Sequence, residues 1–206
     1  MKNIDLSLYL VTDNSDDVEK FLNTIEEAIL GGVTVVQIRE KTAETLDFYN
    51  LALKVKEITT KYNVPLIIND RVDVALAIDA DGVHVGQSDM PCDITRKLIG
   101  EDKILGVSAA TIEEAKKAER DGADYIGTGA VFPTATKDDA PSITKEDLKE
   151  IVESINIPVV AIGGINLDNA STLIDTGIAG LSVVSAIMSS ENPKKSSEEL
   201  LNIFNS

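Results

Sequence analysis

The chain has 206 residues, enough for one domain with a full core, and 43% of them are hydrophobic. Aromatics make up 4% and Trp is absent, so that core must be aliphatic, as it commonly is in α/β proteins with parallel strands. A formal net charge of -16 argues against a broad basic face for nucleic acid or anionic membranes, yet permits a small anion site built from a few cations and backbone N–H groups.

Short apolar runs alternate with amphipathic segments from end to end. LYLVTD (8–13) reads as the first buried strand; the N-terminus around it has no signal-peptide core, and no glycine fingerprint follows it. Asp16–Leu30 has apolar residues at helical spacing, VTVVQIRE (33–40) is the second strand, and Leu46–Tyr62 is again helical. PLIIND (65–70), GVHVG (82–86) and ILGVSA (104–109) follow as strands. Thr111–Asp121 opens on a threonine cap and closes before Gly122. YIGTGAV (125–131) is the sixth strand, and Thr144–Ser154 carries a capping box, Thr144 with Asp147. PVVAIGG (158–164), a helix over Asn166–Thr176 closed by Gly177, GLSVVSA (180–186) and a helix after Asn192 complete the chain.

Eight strands alternating with helices predict right-handed crossovers and a parallel sheet closed on itself: an α/β, single-domain (β/α)8 TIM barrel over residues 1–206. No apolar run approaches the ~20 residues of a membrane span. Cys92 stands alone, so no internal disulfide forms, and it reads as a packing residue rather than a nucleophile. The expectation is a soluble cytoplasmic protein with no nucleic-acid or membrane partner, open to forming a homo-oligomer.

Such barrels carry their chemistry at the C-terminal strand ends. After the second strand, Gln37, Arg39 and Lys41 alternate onto one face while Val36, Ile38 and Glu40 take the other. Two cations and an amide converging there look like an anion clamp. Asn69-Asp70 ends the third strand and Asp89 follows the fourth. Either aspartate alone could be a helix cap, but as a pair at adjacent strand ends they suit a hard cation such as Mg²⁺, one ion per site. Ser108 ends the fifth strand as a hydroxyl donor. The sixth delivers VFPTATKDDAP (131–141), where Thr134, Thr136 and Lys137 lie between prolines. That stretch would also pass for a connecting loop. Gly163-Gly164 with Asn166, and Val184-Ser185, sit after strands seven and eight, a frequent phosphate position. His84, the only histidine, falls inside the fourth strand and reads as a hydrogen-bonded layer residue. The mouth thus offers two anion regions and one cation site, suited to joining two phosphorylated pieces or moving a phosphorylated group.

Six motifs occur in order: Q-x-R-x-K, N-D, H-x-G-Q-x-D-x-P, G-x-S-x-x-T, F-P-T-x-T-K-x-x-A-P and I-G-G-I. Together they resemble the thiamine-phosphate synthase family across nearly the whole chain. The resemblance implies condensation of 4-amino-2-methyl-5-hydroxymethylpyrimidine diphosphate with a thiazole phosphate or its carboxylate, giving thiamine phosphate and diphosphate by dissociation. It implies Mg²⁺ on Asp70 and Asp89. Gln37, Arg39, Lys41, Asn69, Ser108 and Lys137 would meet the pyrimidine diphosphate, with Arg39, Lys41, Ser108 and Lys137 in the catalytic role. Thr134, Thr136, Gly164, Val184 and Ser185 would hold the thiazole phosphate. The nearest rival is a thiazole tautomerase, a related barrel that needs no diphosphate clamp and is thought to use a histidine base. A non-catalytic binder of thiazole phosphate or thiamine phosphate is a second. An aldolase is disfavoured because no lysine lies inside a strand.

Overall fold

A computed structural model describes residues 4–14, 17–134 and 142–206. Its eight parallel strands pair in chain order, and the eighth closes on the first. They are β1 Leu8–Val11, β2 Val35–Ile38, β3 Leu66–Asn69, β4 Gly82–Val85, β5 Ile104–Ser108, β6 Tyr125–Thr128, β7 Val159–Ile162 and β8 Gly180–Val183. The helices are α1 Val18–Leu30, α2 Thr45–Tyr62, α3 Val72–Ala77, α4 Cys92–Ile99, α5 Ile112–Arg120, α6 Lys145–Ser154, α7 Ser185–Met188 and α8 Pro193–Phe204. A 3₁₀ helix, Ala170–Thr176, fills the crossover between β7 and β8.

The strands are shorter than their apolar runs. Each is four or five residues long, because ladder pairing stops where the chain turns out toward the mouth. Thr111 and Thr144 cap α5 and α6 as expected, and Thr144 with Asp147 forms the full capping box. Two local readings are corrected. The helix expected from Asn166 starts at Ala170 and is 3₁₀, because Asn166 and Asn169 side chains hold residues 166–169 in a turn. Gly177 still closes it in the left-handed conformation, φ 81°. Helix α4, with buried Cys92, Thr95, Arg96 and Ile99 on one face, was hidden behind the polar CDITRK run.

Period-two alternation splits the apolar residues into two cores. Leu8, Leu10, Val36, Ile38, Leu66, Ile68, Val83, Val85, Leu105, Val107 and Ile126 face outward and pack under the helices. Inside the barrel lie Leu6, Tyr9, Val11, Val35, Ile67, Ile104, Tyr125 and Val160. Gly82 is required between Ile67 and Ile104, since a Cβ there would stand 2.8 Å from the Ile67 Cδ1 and 2.3 Å from the Ile104 carbonyl oxygen.

The N-terminal end is sealed by Arg96. Its guanidinium donates to the carbonyls of Gly100, Lys103 and Gly122 and pairs with Asp124 at 2.7 Å. The same Asp124 oxygen accepts the Leu105 N–H at 2.8 Å, tying α4, β5 and β6 together. No helix among the described residues is long and apolar enough to cross a membrane.

Candidate active site at the barrel mouth

A cavity of about 510 Å³ opens at the C-terminal strand ends. Gln37, Arg39, Lys41, Asn69, Asp70, Asp89, Ser108, Thr134, Gly164, Val184 and Ser185 all line it. Eleven residues from seven strand ends, singled out by their place in the chain, thus line one cavity. Thr136 and Lys137 lie outside the described residues.

The clamp after β2 follows the expected alternation. Arg39 is set by its backbone N–H, which donates to Thr12 Oγ1 at 3.1 Å. Glu40, on the opposite face, turns away and accepts the backbone N–H groups of Thr42 and Ala43. The turn it closes holds Lys41 at the rim, where the ammonium pairs with Asp70.

Asp70 adopts a left-handed backbone, φ 61°, a conformation Asp tolerates better than most residues. Its N–H donates to the His84 carbonyl at 2.8 Å, which pins the end of β3 to β4. Arg71, not Asp70, takes the N-cap position of α3, so the capping alternative for Asp70 does not apply. Asp89 folds back so that Oδ2 accepts the Gly86 N–H at 2.8 Å. Burial, and then a hydrogen bond with Asp70, raise the Asp89 carboxyl above its ordinary 3.8. Among the described residues no group of three or more His, Cys, Asp or Glu side chains is placed so that it could by itself hold a metal ion. The Asp70–Asp89 pair is therefore a partial donor set of hard oxygens. It fits a cation whose remaining ligands are substrate oxygens and water, and the Lys41 ammonium already marks the spot as one that favours positive charge.

The opposite wall is backbone-rich. Gly163 and Gly164 have φ of 103° and 65°, open to glycine but strained for other residues. A Cβ on Gly164 would stand 2.5 Å from the Pro133 carbonyl, so this glycine lets the chain leaving β6 lie directly over the end of β7. Val184 and Ser185 open the short α7 beside it.

Sequence reasoning missed the floor of the cavity. Tyr9 and Tyr125, 1% and 0% exposed, meet hydroxyl to hydroxyl at 2.6 Å. Gln37 Nε2 donates to Tyr9 at 2.7 Å, and Tyr125 lies 2.9 Å from His84 Nδ1. His84 Nε2 lies 2.9 Å from Ser108 Oγ. His84 is thus the hydrogen-bonded layer residue expected of it, and it also lines the cavity. Two tyrosines at inward strand positions, in a chain with four Tyr in all, were the available signal. Gln87 and Glu114 were missed as well; Gln87 Nε2 donates to the Ser108 carbonyl at 2.6 Å, and Glu114 accepts the Ala110 N–H at 2.8 Å.

A model of the family described as Thiamine monophosphate synthase matches residues 8–187. A curated relative named thiamine-phosphate synthase, from Methanobrevibacter smithii, is 74% identical over 204 residues, covering 99% of this chain and 98% of its own. Another of that name, from Alkaliphilus oremlandii, is 60% identical over 200 residues, covering 96% of this chain and 95% of its own. Among solved structures, thiamine phosphate pyrophosphorylase from Pyrococcus furiosus is 43% identical, covers 98% of this chain and 96% of its own, and superposes with a TM-score of 0.87.

Proposed function

Because the chain belongs to the thiamine monophosphate synthase family, a family of transferases, we propose that its mouth joins a pyrimidine diphosphate to a thiazole phosphate, releasing diphosphate and thiamine phosphate. One observation carries this reading. The cationic clamp with its carboxylate pair and the glycine-rich wall with its hydroxyls face each other across a single cavity.

The bond that breaks joins the pyrimidine methylene carbon to the diphosphate oxygen. The electron pair leaves with diphosphate, the methylene becomes cationic, and the thiazole nitrogen supplies the pair for the new carbon–nitrogen bond. Charge grows on the leaving group, so fixed donors aimed at it lower the barrier most. Arg39 and Lys41 take that role in the described chain, and Lys137, outside the described residues, is assigned to it as well. Asn69, Gln37 and Ser108 bind and orient the pyrimidine diphosphate. Thr134, Gly164, Val184 and Ser185, together with Thr136 outside the described residues, hold the thiazole phosphate. Asp70 and Asp89 would hold Mg²⁺, and the chemistry it supplies when bound is neutralisation of diphosphate charge. No protein nucleophile is required, and holding both partners in one cavity supplies much of the acceleration. A cytoplasmic location fits this metabolic role.

The tautomerase reading needs no diphosphate clamp, and the His84 ring is already engaged by Tyr125 and Ser108. Purified protein given both substrates and Mg²⁺ should make thiamine phosphate. Binding of thiazole phosphate without any product would defeat the proposal and favour the rivals.

A further inference from the structure

Five polar side chains form an unbroken hydrogen-bonded chain across the cavity floor: Gln37, Tyr9, Tyr125, His84 and Ser108. They come from β2, β1, β6, β4 and β5. The two phenols are fully enclosed, and burial raises both far above the ordinary value of 10.0, so each keeps its proton. Space for the chain is built into the sheet. A Cβ on Gly106 would stand 2.3 Å from the Tyr125 hydroxyl and 2.5 Å from His84 Nδ1, and one on Gly127 would stand 3.1 Å from His84 Cε1.

Each hydroxyl has one proton to give, so the direction of the chain is fixed at its end. Gln37 donates to Tyr9 through its amide nitrogen. Tyr9 then gives its proton to Tyr125, its other hydrogen-bond partner. Tyr125 gives its own to His84 Nδ1. His84 must therefore carry its proton on Nε2 and donate it to Ser108 Oγ. The reverse direction would make Tyr9 accept from both neighbours and strand its own proton in a buried place, a costly arrangement.

We propose that Gln37, Tyr9, Tyr125 and His84 form a directional relay that fixes neutral His84 in the Nε2–H form and holds the Ser108 hydroxyl as a donor into the cavity. Tyr9, Tyr125 and His84 are then positioning residues, acting through Ser108. A hydroxyl whose lone pair is occupied by an imidazole N–H has its proton free for an anionic or lone-pair acceptor on the ligand. The relay deepens the proposed function, since the donor it prepares would face the pyrimidine diphosphate. Its test is made on the ligand-free protein and does not depend on turnover.

His84 is the only histidine, so its two ring nitrogens give one pattern in a long-range ¹H–¹⁵N correlation spectrum. The expected pattern at pH 7 is the Nε2–H form in roughly tenfold or greater excess, the ratio that an unsatisfied buried donor would enforce. Nδ1–H as the major form overturns the relay. Free imidazole already leans toward Nε2–H, so a variant provides the sharper reading. Gln37→Glu, measured at pH 9, puts an acceptor where a donor stood and should invert His84 to Nδ1–H through two intervening phenols. Adding Tyr9→Phe to that variant should abolish the inversion. Retention of Nε2–H in the single variant, or inversion that survives loss of the Tyr9 hydroxyl, would show that Gln37 does not set the direction.

Discussion

Asp89 and Asp70 stand carboxyl to carboxyl at the barrel mouth, brought there from the ends of neighbouring strands. Burial and then this contact raise the Asp89 pKa above 3.8. A carboxyl raised in the folded state favours folding below its unfolded value, and that contribution is lost as pH rises through its folded value. Asp89→Asn should therefore melt higher than the parent at pH 7 and show no advantage below about pH 3.8. Mg²⁺ should raise the parent's melting temperature by mass action and leave the variant's unchanged. Scanning calorimetry at the two pH values, with and without Mg²⁺, reads all of this. A variant that melts lower at pH 7 would show that the pair is not under strain.

Arg39 and Lys41 should matter to rate far more than to folding. On the proposed mechanism, replacing either by Ala removes a donor to the leaving group, worth about 3 kcal/mol, or roughly a hundredfold in kcat. Lys41 has an exposed side chain and its pair with Asp70 is accessible to water, so its loss should change the unfolding free energy by no more than about 0.5 kcal/mol. Parallel loss of activity and stability in a urea titration would count against the clamp.

Arg96 should behave in the opposite way. It anchors three carbonyls and Asp124 at the closed end of the barrel, far from the cavity. Arg96→Ala removes the guanidinium from three carbonyls and from the half-buried Asp124 carboxylate, which keeps the Leu105 N–H, at a cost of about 3 kcal/mol. The fraction that remains folded should keep the parental KM. A changed KM at unchanged stability would mean that the two ends of the barrel are coupled.

The Cys92 thiol should be inert in the native state. Burial pushes it up to about 11 from an ordinary 9.0, and its Sγ lies 3.7 Å from the Ala118 carbonyl. Alkylation at pH 8 should proceed only in denaturant. Rapid labelling of native protein would place the thiol at the surface.

The barrel was legible because eight buried strands impose a repeated apolar signature, and strand ends at the mouth inherit their facing from the alternation within each strand. Gln37 and Arg39 were found in that way. Tyr9 and Tyr125 were not, because a tyrosine in an apolar run looks like any other core residue until its hydroxyl partner is known, and that partner lies 116 residues away. Helix α4 was obscured because its buried face includes Thr95 and Arg96, whose polarity is satisfied by carbonyls and the Asp124 carboxylate outside the helix. The turn at 166–169 was read as helix because two asparagines can cap or turn with equal ease.

The most direct test of the joined-substrate reaction is diphosphate release by the purified protein, with pyrimidine diphosphate, thiazole phosphate and Mg²⁺ supplied together and then with each omitted. Release only when all three are present, matched mole for mole by thiamine phosphate, is the expected result. Diphosphate released with no thiamine phosphate formed, or no release while thiazole phosphate still binds, would contradict it.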